Sequence, residues 1–374
     1  MKIAILTFQG SNNYGALLQA FALQKKLTEF EHAIVEIVNY TSPSKKGWYK
    51  PVDFSMKKGF KHNIKQLLKL PNYWFVEKKN TNANMFRTQK LNVGVQSFIG
   101  KSSELERYLN TFDLVMVGSD QVWNYENTSF DKVYFLDFRL NKFRKISYAA
   151  SFGRDNMPEK IQSEIINLLE SFDMIGVRES SGKRIINSKI NKQVSVTLDP
   201  TLLLSSKEWY EEFPLIRKPK VDKYLLVYTI GHDKNLDKVA LRFAAKNDLK
   251  LVRIMRDFRD EFRLSEKHKN PNVEEFLSLI NNASYIITNS FHGVAFSVNF
   301  KKNFIVYLNP QNQANSRINN LLEITDLSSR VITSEAEANS LPNIDYTKKM
   351  RALEKERETS LNYLKSALNM VEKG

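Results

Sequence analysis

"KIAILTFQGSNNYGALLQAFALQKKLTE", residues 2–29, decides the fold. Lys2 to Phe8 is a short apolar run with strand character, and Gly15 to Glu29 carries apolar residues at helical spacing. Between them "QGSNNYG" (9–15) supplies the glycines and short polar residues of a tight turn. A strand that passes through such a turn into a helix is the opening unit of a parallel α/β sheet. The lysine and apolar run at the start only superficially resemble an export signal, because the run stops after about seven residues. The chain is therefore expected to stay in the cytosol.

The same unit recurs along the chain. Residues 33–40, 113–117, 145–150, 174–177 and 193–198 read as strands, with a helix over 159–171. After the charged, proline-containing stretch 213–222, a second series begins. Its strands are predicted at 223–230, 250–255, 284–289, 303–308 and 330–332, and its helices at 235–247, 273–282, 293–299 and 316–324. A charged helix over 346–371 closes the chain. The expected fold is α/β, with two doubly wound Rossmann-like domains facing a cleft. The N-terminal domain covers 1–210, the C-terminal domain 221–335, and the helix of 345–372 is expected to pack back on the N-terminal domain.

Composition narrows the chemistry. The 374 residues are 42% hydrophobic and 26% charged, which suits a globular protein with two cores. No apolar run reaches the roughly 20 residues that span a bilayer. There is no cysteine, so thiolate nucleophiles and cysteine-based metal sites are excluded. Neither metal nor cofactor is expected. Of the net charge of +15, residues 42–92 hold +10, with twelve Lys and Arg against Asp53 and Glu77. Trp48, Tyr49, Phe54, Phe60, Leu67, Leu68, Tyr73, Trp74 and Phe75 are interleaved with them. Such a mixture over 45–90 suits either an anionic membrane surface or a solvated insertion whose aromatics pack on the domain. No nucleic-acid-binding signature accompanies it, and nucleic acid is not an expected partner.

Ligands in open α/β sheets bind beyond the carboxyl ends of the strands, which directs attention to particular residues. Asp120, in "VGSDQVWN" (117–124), could take a proton from a sugar hydroxyl, and Trp123 could stack on a sugar face. The plainer reading is a helix cap and a packed tryptophan. Arg178, in "IGVRES" (175–180), could clamp a carboxylate or phosphate, or simply pair with Glu179 or Asp173. Asp199 in "LDPTLLL" (198–204) reads as a structural turn. His292, in "TNSFHGVAFSVNF" (288–300), follows a strand and precedes a small-residue helix. A histidine there could bind phosphate or act as general acid, with Gly293 permitting close approach; the alternative is a satisfied core histidine. Arg317 opens a further helix and could join an anion site. His32, His62, His232 and His268 lack this setting.

Taken in order, "ILTFQGSNNYGALLQAFAL", "GSDQVWN", "SYAASFG", "VRES", "LDPTLLL" and "TNSFHGVAFSV" resemble the polysaccharide pyruvyl transferase family, from about residue 1 to about 325. The resemblance implies a fold similar to B-type glycosyltransferases. It also implies transfer of a pyruvyl group from the co-substrate phosphoenolpyruvate to two hydroxyls of a sugar, forming a ketal on a surface-polysaccharide precursor. Arg178 matches the family's donor-binding arginine and His292 its histidine before glycine. Ser290 stands where the family often has an arginine, so Arg317 or Lys301 is expected to supply that cation. On this reading His292 and Asp120 are catalytic. Arg178, Ser290, His292, Gly293 and Arg317 bind the donor, and Asn12, Asn13, Tyr14, Asp120 and Trp123 bind the acceptor. A lipid-diphosphate-linked acceptor at the inner face of the cytoplasmic membrane would account for the basic stretch. Two other functions compete: a nucleotide-sugar glycosyltransferase of the same fold, and a non-catalytic scaffold at the membrane surface.

Overall fold

The structure is a computed structural model that describes residues 1–30, 32–47, 49–53, 60–187, 189–190, 192–217, 222–262, 265–308 and 315–372. Its N-terminal half carries β1 (Lys2–Leu6), β2 (Ile34–Ile37), β3 (Tyr40–Thr41), β4 (Phe98–Ile99), β5 (Leu114–Val117), β6 (Arg144–Ala150), β7 (Met174–Val177) and β8 (Val194–Val196). Six of these form one sheet in the order β2-β1-β5-β6-β7-β8, and β3 pairs separately with β4. The C-terminal half carries β9 (Tyr224–Tyr228), β10 (Lys250–Ile254), β11 (Glu266–His268), β12 (Tyr285–Thr288), β13 (Asn303–Tyr307) and β14 (Val331–Ile332). Their order is β11-β10-β9-β12-β13-β14. Neighbouring strands run parallel throughout.

Helices cover both faces of each sheet, so the strands can be apolar along their whole length. Ile3, Ala4, Ile5 and Leu6 are fully buried, as are Leu114 to Val117. The first helices are α1 (Tyr14–Thr28), α2 (Phe60–Leu67), α3 (Tyr73–Lys90), α4 (Ser103–Leu109), α5 (Tyr125–Thr128), α6 (Glu159–Leu169) and α7 (Ser180–Asn187). Then follow α8 (Ser206–Glu212), α9 (Lys234–Lys246), α10 (Val273–Asn282), α11 (Phe291–Asn299), α12 (Ser316–Ile324), α13 (Glu335–Ser340) and α14 (Tyr346–Glu372). Among the described residues no helix is long and apolar enough to cross a membrane.

In each sheet the chain reverses its direction of winding at one place, between β1 and β5 and between β9 and β12. Crevices open at such points, and here the two face each other across a cleft. The halves are not separate bodies. One apolar cluster runs from Ile5 and Leu18 through Trp209 to Phe276, Phe296 and Leu364. Tyr14 of α1 stacks on Phe276 of α10 at 4.3 Å, and its hydroxyl donates to the Pro271 carbonyl at 2.6 Å. Asn299 Nδ2 donates to the carbonyls of Thr201 and Leu204. Helix α14 spans both halves: Tyr346 Oη donates to the Lys302 carbonyl, and Tyr363 Oη to the Ser147 carbonyl.

The basic stretch departs from a simple surface insertion. Helix α3 packs inward through Ala83 and Phe86, the latter edge-on to Phe21. Ile64, Leu67, Leu68, Leu70 and Trp74 are exposed beside Lys61, Lys65 and Lys69, with Trp74 at 80%. Trp48, Phe54, Lys57 and Lys58 lie outside the described residues.

Candidate active site

The cleft between the halves has a volume of about 980 Å³. Four strand ends contribute to it: Phe8 and Gly10 to Asn13 follow β1, Asp120 and Gln121 follow β5, Ile230 follows β9, and Ser290 to His292 follow β12. Arg317 of α12 and a set of residues from the basic stretch, including Lys45, Tyr49, Lys50, Lys79 and Asn80, complete the lining.

His292 reaches the site because Ser290 caps α11. The Ser290 hydroxyl accepts from the Gly293 amide at 3.4 Å, so the helix starts at Phe291, two residues earlier than the sequence pattern suggests. His292 therefore sits in the first helical turn. Gly293 serves packing rather than donor binding. A β-carbon there would stand 2.3 Å from Thr288 Oγ1, and its amide is already committed to Ser290. Ser290 lines the cleft while its hydroxyl does this capping. On its other side His292 is pressed against Gly15, where a β-carbon would lie 1.9 Å from Nδ1. Two helix starts, one from each half, thus meet at the imidazole.

His292 Nε2 faces the carboxylate of Asp199 at 3.6 Å, and the same oxygen pairs with Arg178 Nη2 at 3.0 Å. Ser119 Oγ donates to that oxygen at 3.1 Å and accepts from Arg178. Thr201 donates its amide and hydroxyl to the other oxygen. Burial pushes the Asp199 carboxyl up, but Arg178, His292 and these hydrogen bonds outweigh it and hold it below the usual carboxylate range. Asp199, which sequence reads as a turn, is therefore the counter-charge that links Arg178 to His292. Its position after a strand in "LDP" is the one local signal; the pairing itself spans residues far apart in the chain.

Arg178 pairs with neither Glu179 nor Asp173. Glu179 turns the other way and accepts from the Ser151 hydroxyl and the Phe152 and Gly153 amides, shaping the "SYAASFG" turn. Asp173 pairs with Arg144. Arg178 is 3% exposed and does not line the main cleft. It borders a small cavity of about 20 Å³ together with Asp199, Phe291, Arg317 and Asn320. Both guanidiniums lie against the Phe291 ring, at 5.1 Å for Arg178 and 5.9 Å for Arg317. Nε and Nη1 of Arg178, and Nε of Arg317, are buried without a hydrogen-bond partner. Burial and the neighbouring Arg178 push the Arg317 pKa down, against the pull of Glu179, Asp120 and Asp199. Two cations close enough to repel, with donors unspent, form a site short of an anion.

Across the cleft stands Asp120, half-buried and held at φ 87°, a left-handed backbone conformation unusual for a residue with a β-carbon. The Ser151 amide donates to its carbonyl and the Gln121 amide to its carboxylate. Asn12 and Asn13 also line the cleft. Asn13 caps α1 through Gly15, and Asn12 donates to Asn80 of α3. Two expected acceptor residues are not there. Trp123 is fully buried, with Nε1 donating to the Tyr134 carbonyl and its ring among Phe135, Phe152 and Phe172, so no sugar can stack on it. Tyr14 is spent on the contact between halves described above and does not line the cleft. Lys301 likewise lies outside the cleft lining, whereas Arg317 is in it. The insertion's lysines line the cleft although the sequence does not place them there, because periodicity does not tell which face of a lysine-rich segment turns inward.

The family model for polysaccharide pyruvyl transferase matches residues 13–311. No curated protein matches the chain by sequence. Among solved structures, the S. aureus MnaA–UDP co-structure is 13% identical with a TM-score of 0.53, covering 98% of this chain and 96% of that one. The Methanocaldococcus jannaschii UDP-GlcNAc 2-epimerase in complex with UDP-GlcNAc and UDP is 14% identical with a TM-score of 0.53, covering 99% and 100%. The Neisseria meningitidis UDP-GlcNAc 2-epimerase bound to UDP-GlcNAc is 11% identical with a TM-score of 0.51, covering the whole of both chains. These likenesses establish the shared architecture, two Rossmann-like domains about a cleft in the manner of B-type glycosyltransferases.

Proposed function

The chain belongs to the polysaccharide pyruvyl transferase family, and from that premise we propose that it transfers the pyruvyl group of phosphoenolpyruvate to two hydroxyls of one sugar. The observation that carries this reading is the pair of arginines with unspent donors beside a histidine, of which Arg317 and His292 line a sugar-sized cleft together with the carboxylate of Asp120. Phosphoenolpyruvate brings a phosphate and a carboxylate, which answer that deficit of negative charge. Arg317 holds one anionic group from the cleft side. Arg178 acts from behind Phe291, through its remaining N–H groups and through Asp199.

In the proposed reaction His292 delivers a proton to C3 of the enol, and C2 becomes electrophilic. One sugar hydroxyl attacks C2 while Asp120 takes its proton. The C2–O bond to phosphate then breaks, the second hydroxyl closes on C2, and its proton leaves with the phosphate. The products are a pyruvate ketal and inorganic phosphate. Asp199 holds His292 against Gly15 so that the imidazole meets the bound enol in one orientation.

We further assign the enzyme to the inner face of the cytoplasmic membrane, acting on a lipid-linked precursor. The exposed apolar residues of 64–74 among lysines support that placement, since basic residues with aromatic and aliphatic neighbours suit an anionic lipid surface. Incubation of the full chain with phosphoenolpyruvate and lipid-linked galactose, mannose and N-acetylhexosamine acceptors tests the reaction. Release of inorganic phosphate with the mass gain of a pyruvyl ketal is expected. Release of a nucleoside diphosphate from a nucleotide sugar instead would replace this reading with glycosyl transfer.

A further inference from the structure

The insertion's lysines on the N-terminal wall are not used by the mechanism above. Lys45, Lys50 and Lys79 all line the cleft, on the wall opposite Arg317 and His292. Lys79 is half-buried on α3 and has no ion pair or hydrogen bond to any described residue. Burial pushes its pKa down, with no carboxylate to offset it. Lys45 donates to Asn127 Oδ1 at 2.8 Å, and burial pushes its pKa down to about 8 against the attraction of Asp120.

The ledge that carries these lysines is tied to the site itself. Arg87 of α3 donates to the carbonyls of Gln9 and Ser11, Asn80 to the Tyr49 carbonyl, and Tyr49 Oη to Ser11 Oγ. The segment is thus fastened to the turn after β1. A desolvated ammonium aimed into a cavity costs stability until a ligand supplies the anion. The donor's two anionic groups are already assigned to Arg317 and to Arg178 behind Phe291.

We propose that Lys79 and Lys45, with Lys50 at the rim, form a second anion subsite that takes the phosphate or diphosphate joining the sugar acceptor to its carrier. This deepens the pyruvyl-transfer reading and rests on it for the word acceptor. Asn12, Asn13 and Asp120 line the same cleft, and Asp120 acts electrostatically on both Lys45 and Arg317, which puts a place for the sugar hydroxyls between them. A carrier leaving the lysines passes along α3 toward its start, where Trp74 and Leu70 are exposed.

Calorimetric binding of inorganic pyrophosphate and of phosphoenolpyruvate to the full chain tests the subsite. Lys79→Met is expected to weaken pyrophosphate at least about tenfold, the scale of one charge-assisted hydrogen bond, while phosphoenolpyruvate binding stays within twofold. Lys79→Arg should recover most of the loss, which separates charge from folding. In the parent protein pyrophosphate affinity should fall as pH rises through about 8, and Lys45→Met should flatten that fall. Pyrophosphate binding that Lys79→Met leaves unchanged but Arg317→Met abolishes would overturn the proposal, because the probe would then sit in the donor site. So would equal losses for both ligands in Lys79→Met. A galactosyl farnesyl diphosphate and UDP-galactose identify the carrier, and Lys79-dependent binding of either supports the subsite. If Lys79 governs pyrophosphate but no acceptor is pyruvylated, the subsite stands and the donor assignment fails. If ketals form at the same rate and KM in Lys79→Met, the reverse holds.

Discussion

The two walls of the cleft hold positive charge by opposite means. On the wall built around α11 and Asp199, Arg178 and His292 are buried and share one carboxylate, with hydroxyls and backbone amides filling the remaining valences. On the wall built from the insertion, lysines reach the cleft from a ledge that Asn80 and Arg87 fasten to backbone carbonyls rather than to a carboxylate, and Lys79 has no counter-charge among the described residues. The first arrangement fixes geometry in advance, as a proton transfer to one carbon requires. The second leaves long, rotatable side chains that can follow a flexible phosphate linkage. One wall is built to orient a ligand and the other to capture one.

Removing the shared carboxylate should break the first wall most severely. Asp199→Ala strands Arg178 beside His292 and Arg317, and we expect a loss of about 3–5 kcal/mol in urea-unfolding free energy. A loss below about 1 kcal/mol would mean that the cations do not depend on it. The same pairing predicts an acid limit. A carboxylate whose pKa is depressed in the fold stabilises above its ordinary value, so this contribution should fade below about pH 4 in the parent protein and be absent from Asp199→Asn. A smaller effect is expected at Gly15. Its replacement by alanine forces a β-carbon into the imidazole, and turnover should fall about 100-fold with little change in melting temperature. Retained turnover would show that His292 can move without cost. The smallest effect sharpens the second wall. Leu68→Ser with Trp74→Ser should reduce sedimentation with anionic vesicles about tenfold and leave turnover of a soluble acceptor unchanged.

Much of the architecture is legible in the sequence because buried parallel strands are apolar along their length and the helices between them keep their spacing. Boundaries are less so. The start of α11 depends on a serine cap, whereas the sequence pattern points to the small residues after it. Strand β11 is three polar residues with no period to read, and α7 is amphipathic but only eight residues long, too short a window for its spacing to announce it. In the site, His292, Asp120 and Arg317 are legible from strand and helix ends, since topology sends those ends to the cleft. Asp199 is not, because its meaning depends on partners from distant strands. Trp123 misleads for the same reason: an aromatic after a strand can turn toward a ligand or into the core. Here the left-handed Asp120 comes three residues earlier, and the Trp123 amide donates to the Ser151 carbonyl within the buried layer.

Helix α14 has a mechanical consequence. At 27 residues it is about 40 Å long, and it is hydrogen-bonded near its start to the C-terminal half and farther along to the N-terminal half. It works as a splint across the joint. A wide hinge opening would have to break one of those attachments and part the apolar cluster that continues through both halves. Substrates therefore meet a cleft whose two walls are tied to one another both by the shared core and by two attachments along a single helix.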